Sequence, residues 1–381
     1  GDDAITSSST AAQIISTGAG ADSYTGGSTV ADSITLGAGN DSVTIATANL
    51  TSVDTITGGT GTDSIILSDA ATVVDADFTL VTGVETVSYG NNTMTLTLGA
   101  ASMAAGIVTV TDGTGAATVT VGAGHTSAIG VTLSTGNDTI SAAASAAALT
   151  VTSAGASLDG SDTITGGTST SDNLKVTGTL SNAAATIVTA VETITANDTT
   201  TAVSITIDEL TVADGKTLHV DGSGLTTGVL TAVMSDDSNG INTVTGGGAA
   251  DLITGSGSDL GDTLTGGAGN DTFTFATANL TSLDTVAGGA GTDILTFSNA
   301  ETVVDADFTN ITSVETYDSY AGASTITLGP LATAAGIVNL LTGGSAASTV
   351  TIPATHTGDL TVTSEVAGES ITAAATYAGK L

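Results

Sequence analysis

Residues 265–275 read TGGAGNDTFTF: three glycines, an asparagine and an aspartate directly before an alternating strand. A glycine takes positive φ without steric cost, so such a stretch turns sharply. The Thr-Phe alternation behind it has the period of a strand with one buried face. The same corner-then-strand unit recurs along the chain. Asp22, Asp32 and Asp41 fall ten and nine residues apart, and Asp54 and Asp63, Asp262 and Asp271, and Asp284 and Asp293 are each nine apart. Short strands follow the acids, at SVTI (42–45), SIIL (64–67), TFTF (272–275) and ILTF (294–297). Elsewhere the acids thin out and the strands persist, as at IVTVT (107–111), ATVTV (117–121) and ALTVTS (148–153). Strands about ten residues apart fit a coiled solenoid or a sandwich of short hairpins.

Longer repeats lie over this period. Residues 269–338 match 39–108 without a gap: ATANLTS occurs at 46–52 and 276–282, TVVDADFT at 72–79 and 302–309, AAGIV at 104–108 and 334–338. One inserted residue later, His125 corresponds to His356 and Asp138 to Glu369. A weaker copy between them aligns DTITGGTSTSDNLKV (162–176) with DTITGGTGTDSIIL (54–67). Three related modules are therefore expected, at 1–157, 158–240 and 241–381, the third duplicating about 32–142. Helix is expected to be scarce, confined to short turns at DADFT and AAGIV.

Charge narrows the partners. Asp and Glu number 38 against three cations, Lys175, Lys216 and Lys380, for a net charge of −35. Such a surface repels phosphate backbones and anionic lipid, so nucleic acid is excluded as a partner, and it attracts cations. Disorder is excluded because 40% of residues are hydrophobic and alternate with Thr and Ser. With no cysteine, disulfides and thiolate chemistry are out. No apolar run is long enough for a membrane span. A start at Gly1 rather than Met reads as an excised or processed chain.

An aspartate that closes a turn of glycine carbonyls supplies hard oxygen ligands. Ca²⁺ takes six to eight of these, from carboxylates and carbonyls together, and two stacked turns can share an ion between them. GGAGNDTFT (266–274), GGTGTDSII (58–66) and GGAGTDILT (288–296) resemble the nonapeptide GGxGxDxUx of RTX proteins, and LGAGNDSVT (36–44) and TGAGADSYT (17–25) keep all but the first glycine. The resemblance implies an all-β chain, a right-handed parallel β-roll or β-solenoid that binds several Ca²⁺ ions at its Gly-Asp turns. The metal-ligand candidates are Asp22, Asp32, Gly37, Gly39, Asp41, Asp54, Gly59, Gly61, Asp63, Asp162, Asp172, Asp251, Asp259, Asp262, Gly267, Gly269, Asp271, Asp284, Gly289, Gly291 and Asp293. The expected stacked pairs are Asp22 with Asp41, and Asp251 and Asp259 with Asp271; the copies at 58–63 and 288–293 read as isolated.

The wider texture resembles RTX-type bacterial surface-layer proteins. A GGxGTD-like turn, a strand, some twenty residues and then VET recur at 58–86, 166–193 and 288–316. That resemblance implies type I secretion, an extracellular or cell-surface location, and calcium-driven assembly with further copies of the chain. A cell-surface polysaccharide, bound through a region outside these residues, is a second candidate partner. Three function classes follow: a layer or filament subunit, an adhesin or extender segment, and the calcium-binding region of a secreted enzyme. No HExxH, GxSxG or cysteine nucleophile is present, so the chain reads as non-enzymatic.

Other acids have plainer readings. Asp75, Asp77, Asp305 and Asp307 in the two DADFT segments fit helix caps or solvated turns. Glu85, Glu192 and Glu315 of the VET triplets fit solvated strand positions, with a ligand or inter-strand hydrogen bond as the sharper alternative. His125, His219 and His356 read as surface or structural. The TxT units read as solvent-facing strand, with a flat ice-ordering threonine ladder as a rarer alternative.

Overall fold

The computed structural model describes residues 1–181, 187–208, 216–257, 260–299, 302–319, 324–342, 347–364 and 367–381. It forms two compact units, one of residues 1–175 with 187–192, the other of 176–186 with 193–381. This division follows packing, whereas the three sequence modules describe repetition.

Both units are all-parallel β-solenoids, with strands of two to seven residues among the described residues. No strand this short buries enough apolar surface to stand alone, so each is stabilised by the turn above and the turn below. In unit 1 a continuous sheet runs through Ala4–Thr6, Ser23–Gly26, Ser42–Ile45, Ser64–Leu67, Thr86–Tyr89, Thr109–Thr111, Ile129–Thr132 and Leu149–Ala154. Its inward positions stack in register as Tyr24, Val43, Ile65, Val87, Val110, Val131 and Val151, all buried. Unit 2 stacks Ile253, Phe273, Leu295, Tyr317 and Leu340 in the same way. Outward positions carry the threonines, such as Thr95, Thr118, Thr139 and Thr163 in one column of unit 1.

The nine- or ten-residue spacing proves to be one strand plus one corner, and the first turns use two such steps. Ser23 pairs with Ser42 and Ser42 with Ser64, so the stacking neighbour lies a full turn away. A nine-residue neighbour sits on the opposite corner.

Each unit exchanges one sheet for another at the DADFT segment. In unit 1 the sheet of Ile14–Ala19, Ser33–Ala38 and Thr55–Thr60 ends at Val81–Thr82, while a new sheet begins at Thr72–Val73. A 3-10 turn, Asp75–Phe78, lies between them and is anchored by buried Phe78. The ended sheet abuts helix α1, Ala100–Ala105, which Gly106 terminates at φ 104°. Asp75 holds the start of α1 from a turn earlier: its carboxylate accepts from the N–H groups of Gly99 (2.7 Å), Ala101 (3.0 Å) and Ser102 (2.8 Å). Unit 2 repeats the device with Asp305 and helix α2, Pro330–Ala335. Asp77 and Asp307 cap their own 3-10 turns through Val74 and Val304 N–H. The cap reading of these four acids therefore holds.

The two repeat-equivalent histidines are buried and structural rather than surface residues. The ring nitrogens of His125 lie 3.1 and 3.0 Å from the carbonyl oxygens of Ser127 and Ile107. His356 Nδ1 lies 2.9 Å from Thr333 Oγ1.

Candidate metal sites

The corner acids stand in columns, one per turn. In unit 1 the main-chain N–H of Asp3 donates to Asp22 Oδ1 (2.7 Å), that of Asp22 to Asp41 Oδ1 (2.7 Å), that of Asp41 to Asp63 Oδ1 (2.8 Å), and that of Asp63 to Glu85 Oε2 (2.8 Å). In unit 2 the column starts at Leu230 N–H and climbs through Asp251, Asp271 and Asp293 to Glu315, with distances of 2.7 to 2.9 Å. Each acid thus uses one oxygen to staple its turn to the previous one. The stacked pairs Asp22–Asp41 and Asp251–Asp271 are as expected. Two expectations are corrected: the turns at 58–63 and 288–293 are not isolated, because Asp63 stacks on Asp41 and Asp293 on Asp271. Asp259 lies outside the described residues.

The second oxygen separates two kinds of acid. Oδ2 of Asp22, Asp41, Asp63, Asp271 and Asp293 is buried without a hydrogen-bond partner. In Asp63 it faces the first glycine of its own motif, where a Cβ on Gly58 would come within 2.6 Å of it. At Asp32, Asp54, Asp162, Asp172, Asp251, Asp262 and Asp284 the second oxygen instead accepts from a nearby main-chain N–H: that of Ser28, Thr51, Asp159, Gly167, Gly247, Ser256 and Thr281 respectively. These residues brace corners. Asp32 and Asp54 form their own column opposite the first, as do Asp262 and Asp284, and Asp138 and Asp162.

The glycines allow this stacking. Gly37, Gly39, Gly59, Gly61, Gly267, Gly269, Gly289 and Gly291 all have positive φ. A Cβ on Gly39 would overlap the carbonyl oxygen of Gly20, and one on Gly61 that of Gly39. The turns therefore approach as closely as backbone permits, with glycine carbonyls aimed along the stack.

Electrostatics shows what the columns lack. Burial pushes the Asp63 carboxyl up, and the charges of Asp41 and Glu85 add to it. Asp271 is pushed up to about 6 by burial, reinforced by Asp251 and Asp293. Burial also raises Asp251 and, with Glu315, Asp293. Only Asp22, at the open end of its column, is lowered, chiefly by the Asp3 N–H. Parallel strands lie about 4.8 Å apart. Neighbouring carboxylates at about 5 Å and an effective dielectric near 20 repel by roughly 3 kcal/mol, or roughly 10 kcal/mol over the three intervals of the unit 2 column. Its four charge-assisted hydrogen bonds return about 6–12 kcal/mol. The column is near balance before desolvation is counted, and three lysines in 381 residues cannot neutralise it.

Unpartnered buried carboxylate oxygens among glycine carbonyls fit a hard divalent cation. Among the described residues no three His, Asp or Glu side chains converge on one point. Each interval between turns offers two acids at most, and carbonyls must complete any cage.

Fold and corners together define a β-solenoid with stacked Gly-Asp turns. Residues 51–70 and 236–273 match the model of the RTX calcium-binding nonapeptide repeat, in four copies. The chain carries RTX calcium-binding repeats, and Ca²⁺ is the ion this repeat family implies. No curated protein matches the chain. The match includes 58–63, one of the two copies read as isolated.

For the VET glutamates the alternative reading, not the solvated strand position, is the one observed. Glu85, Glu192 and Glu315 each accept the N–H of the aspartate one turn earlier, Asp63, Asp172 and Asp293. The signal was their recurrence about twenty residues after each GGxGTD-like turn. They are the inter-strand hydrogen bonds of the sharper alternative, and they end the columns.

Proposed function

We propose that this chain is a calcium-stabilised structural subunit of an extracellular layer or filament, which assembles with further copies of itself when calcium is present. The observation that carries the calcium half is the run of buried, unpartnered Oδ2 atoms at Asp22, Asp41, Asp63, Asp271 and Asp293. These five acids, with carbonyls of the glycines at 37, 39, 59, 61, 267, 269, 289 and 291, are the proposed ion-holding set; the braced acids shape the corners. Binding energy at such sites is folding energy, because the unfolded chain does not preform them. Extracellular calcium modules bind at about 10⁻⁴–10⁻³ M, which keeps such a chain loose at cytoplasmic calcium levels and folded outside. The RTX repeat is typical of secreted proteins, and no helix among the described residues is long and apolar enough to cross a membrane.

The assembly half rests on the modular repetition and on the dominance of structural over reactive groups. It is tested by titrating EDTA-stripped chain with CaCl₂, following circular dichroism and light scattering on one sample. Folding with growth into large ordered particles is the expected result. Folding to a stable monomer would retain the calcium sites and transfer the assignment to an adhesin or extender segment. A chain already folded without calcium and indifferent to it would overturn both halves.

A further inference from the structure

One inward column of the first sheet of unit 1 runs through Ile45, Leu67 and Tyr89. Register carries it on to Asp112 and Leu133, which follow the paired residues Thr111 and Thr132. An aspartate is thus placed between Tyr89 and Leu133 in this stack, and it is only 7% exposed. Its Oδ1 has no hydrogen-bond partner, and its Oδ2 receives a long 3.4 Å bond from Ser134 N–H. Asp138, 1% exposed, reaches the same corner from the neighbouring sheet, with Oδ1 held by Ala117 N–H at 2.8 Å. The two carboxylates are within hydrogen-bonding reach of each other. Tyr89, 3% exposed, lies one turn earlier in the column, and its hydroxyl is also buried without a partner.

We propose that Asp112, Asp138 and the Tyr89 hydroxyl form a further divalent-cation site, most suited to Ca²⁺, outside the segments that match the repeat model and with two of its three donors, Tyr89 and Asp112, outside any nonapeptide-like turn. Two carboxylates and a phenol are hard oxygen donors, and two buried like charges in contact need a cation or a shared proton. Burial raises both carboxyls: Asp112 goes to about 7, with the Asp138 charge adding to it, and Asp138 goes up with the Asp162 charge adding to it. The glycines of the corner repeat the logic of the repeat turns: a Cβ on Gly113 would overlap Gly90 O, and one on Gly136 would come within 2.5 Å of Gly115 O. The duplicated module supplies an internal contrast. Its equivalents of Tyr89 and Asp112 are Ser319 and Thr342, uncharged residues whose hydroxyls bond to the carbonyls of Leu341 and Thr363. The duplicated module keeps an acid, Glu369, in place of Asp138, but among the described residues it lacks the Tyr–Asp pair.

The proposal rests on the calcium reading only for its probe. The test measures calcium bound per full-length chain by equilibrium dialysis, and tyrosine-sensitised luminescence of Tb³⁺ substituted for calcium. Asp112→Asn is expected to bind one ion fewer per chain and to lose part of the sensitised emission; Tyr89→Phe is expected to lose the same emission. Asp41→Asn is the reference, expected to lose an ion at the repeat turns while keeping the Tyr89-dependent emission. A folded Asp112→Asn chain that keeps its full complement of ions would show a shared proton instead and overturn the site. If that variant does not fold, unchanged emission from Tyr89→Phe overturns it. An unchanged ion count in Asp41→Asn counts only against the repeat turns.

Discussion

Asp271→Asn isolates the charge of one column acid from its hydrogen bonds. Asp271 is fully buried, accepts Asp251 N–H through Oδ1 at 2.8 Å, donates its own N–H to Asp293 Oδ1 at 2.8 Å, and leaves Oδ2 unpartnered. Asparagine keeps the Oδ1 acceptor and removes the charge. The folded-state carboxyl is raised from 3.8 to about 6, so in the calcium-free chain its stabilising protonated form is complete below pH about 4. That contribution is lost as pH rises through about 6. The difference corresponds to roughly 3 kcal/mol, and about 1–2 kcal/mol once solvent screening is allowed for. In EDTA at pH 7 the variant should therefore be more stable than the parent by about 1–2 kcal/mol. For a unit of this size that is about 2–8 °C in Tm. At pH 4 the gain should vanish. In saturating calcium the order should reverse, because the variant has lost a ligand. The assay is thermal or urea unfolding followed by circular dichroism in four buffers, EDTA or calcium at each pH. A variant less stable than the parent in EDTA at pH 7, or one with an undiminished response to calcium, would refute the account of the columns.

Two further perturbations separate backbone from charge. Gly61→Ala forces a Cβ onto the Gly39 carbonyl at φ +135°, so unit 1 should lose about 4 kcal/mol or more in urea unfolding; a loss under 1 kcal/mol would mean that the turns are not so closely stacked. Asp75→Ala removes the acceptor for three N–H groups of α1 and should cost about 1–2 kcal/mol, with the number of bound calcium ions unchanged. Burial pushes the Asp75 carboxyl up, but the Ser102, Ala101 and Gly99 N–H groups outweigh it and hold it low. Its contribution should accordingly be present above pH about 4 and be lost on acidification, the opposite sense to Asp271.

Much of this protein is legible locally. The alternation of Val, Ile and Thr needs only period two, and GGxGxD needs only the freedom of glycine and the chemistry of a carboxylate. Both can be read from a dozen residues, as TGGAGNDTFTF shows. Chain-wide charge, with 38 acids and three lysines, points to cations without any coordinates. What the tertiary structure decided is which corner stands on which. Among the described residues a turn closes after 19 to 27 residues, depending on the loops it carries, so Asp41 stacks between Asp22 and Asp63 and not on the nearer Asp32 or Asp54. Local spacing gave the pair Asp22–Asp41 but made the stacked turns at 58–63 and 288–293 look isolated. Only the closed turns show that Oδ2 of Asp41 is unpartnered while that of Asp54 is held by Thr51 N–H, that Glu85 ends a column, and that Asp75 caps a helix 25 residues ahead. Asp112 is the sharpest case. In sequence it is one acid in VTDGTG; in the solenoid it stands among Leu67, Tyr89 and Leu133, because parallel register aligns residues by turn rather than by neighbourhood in the chain.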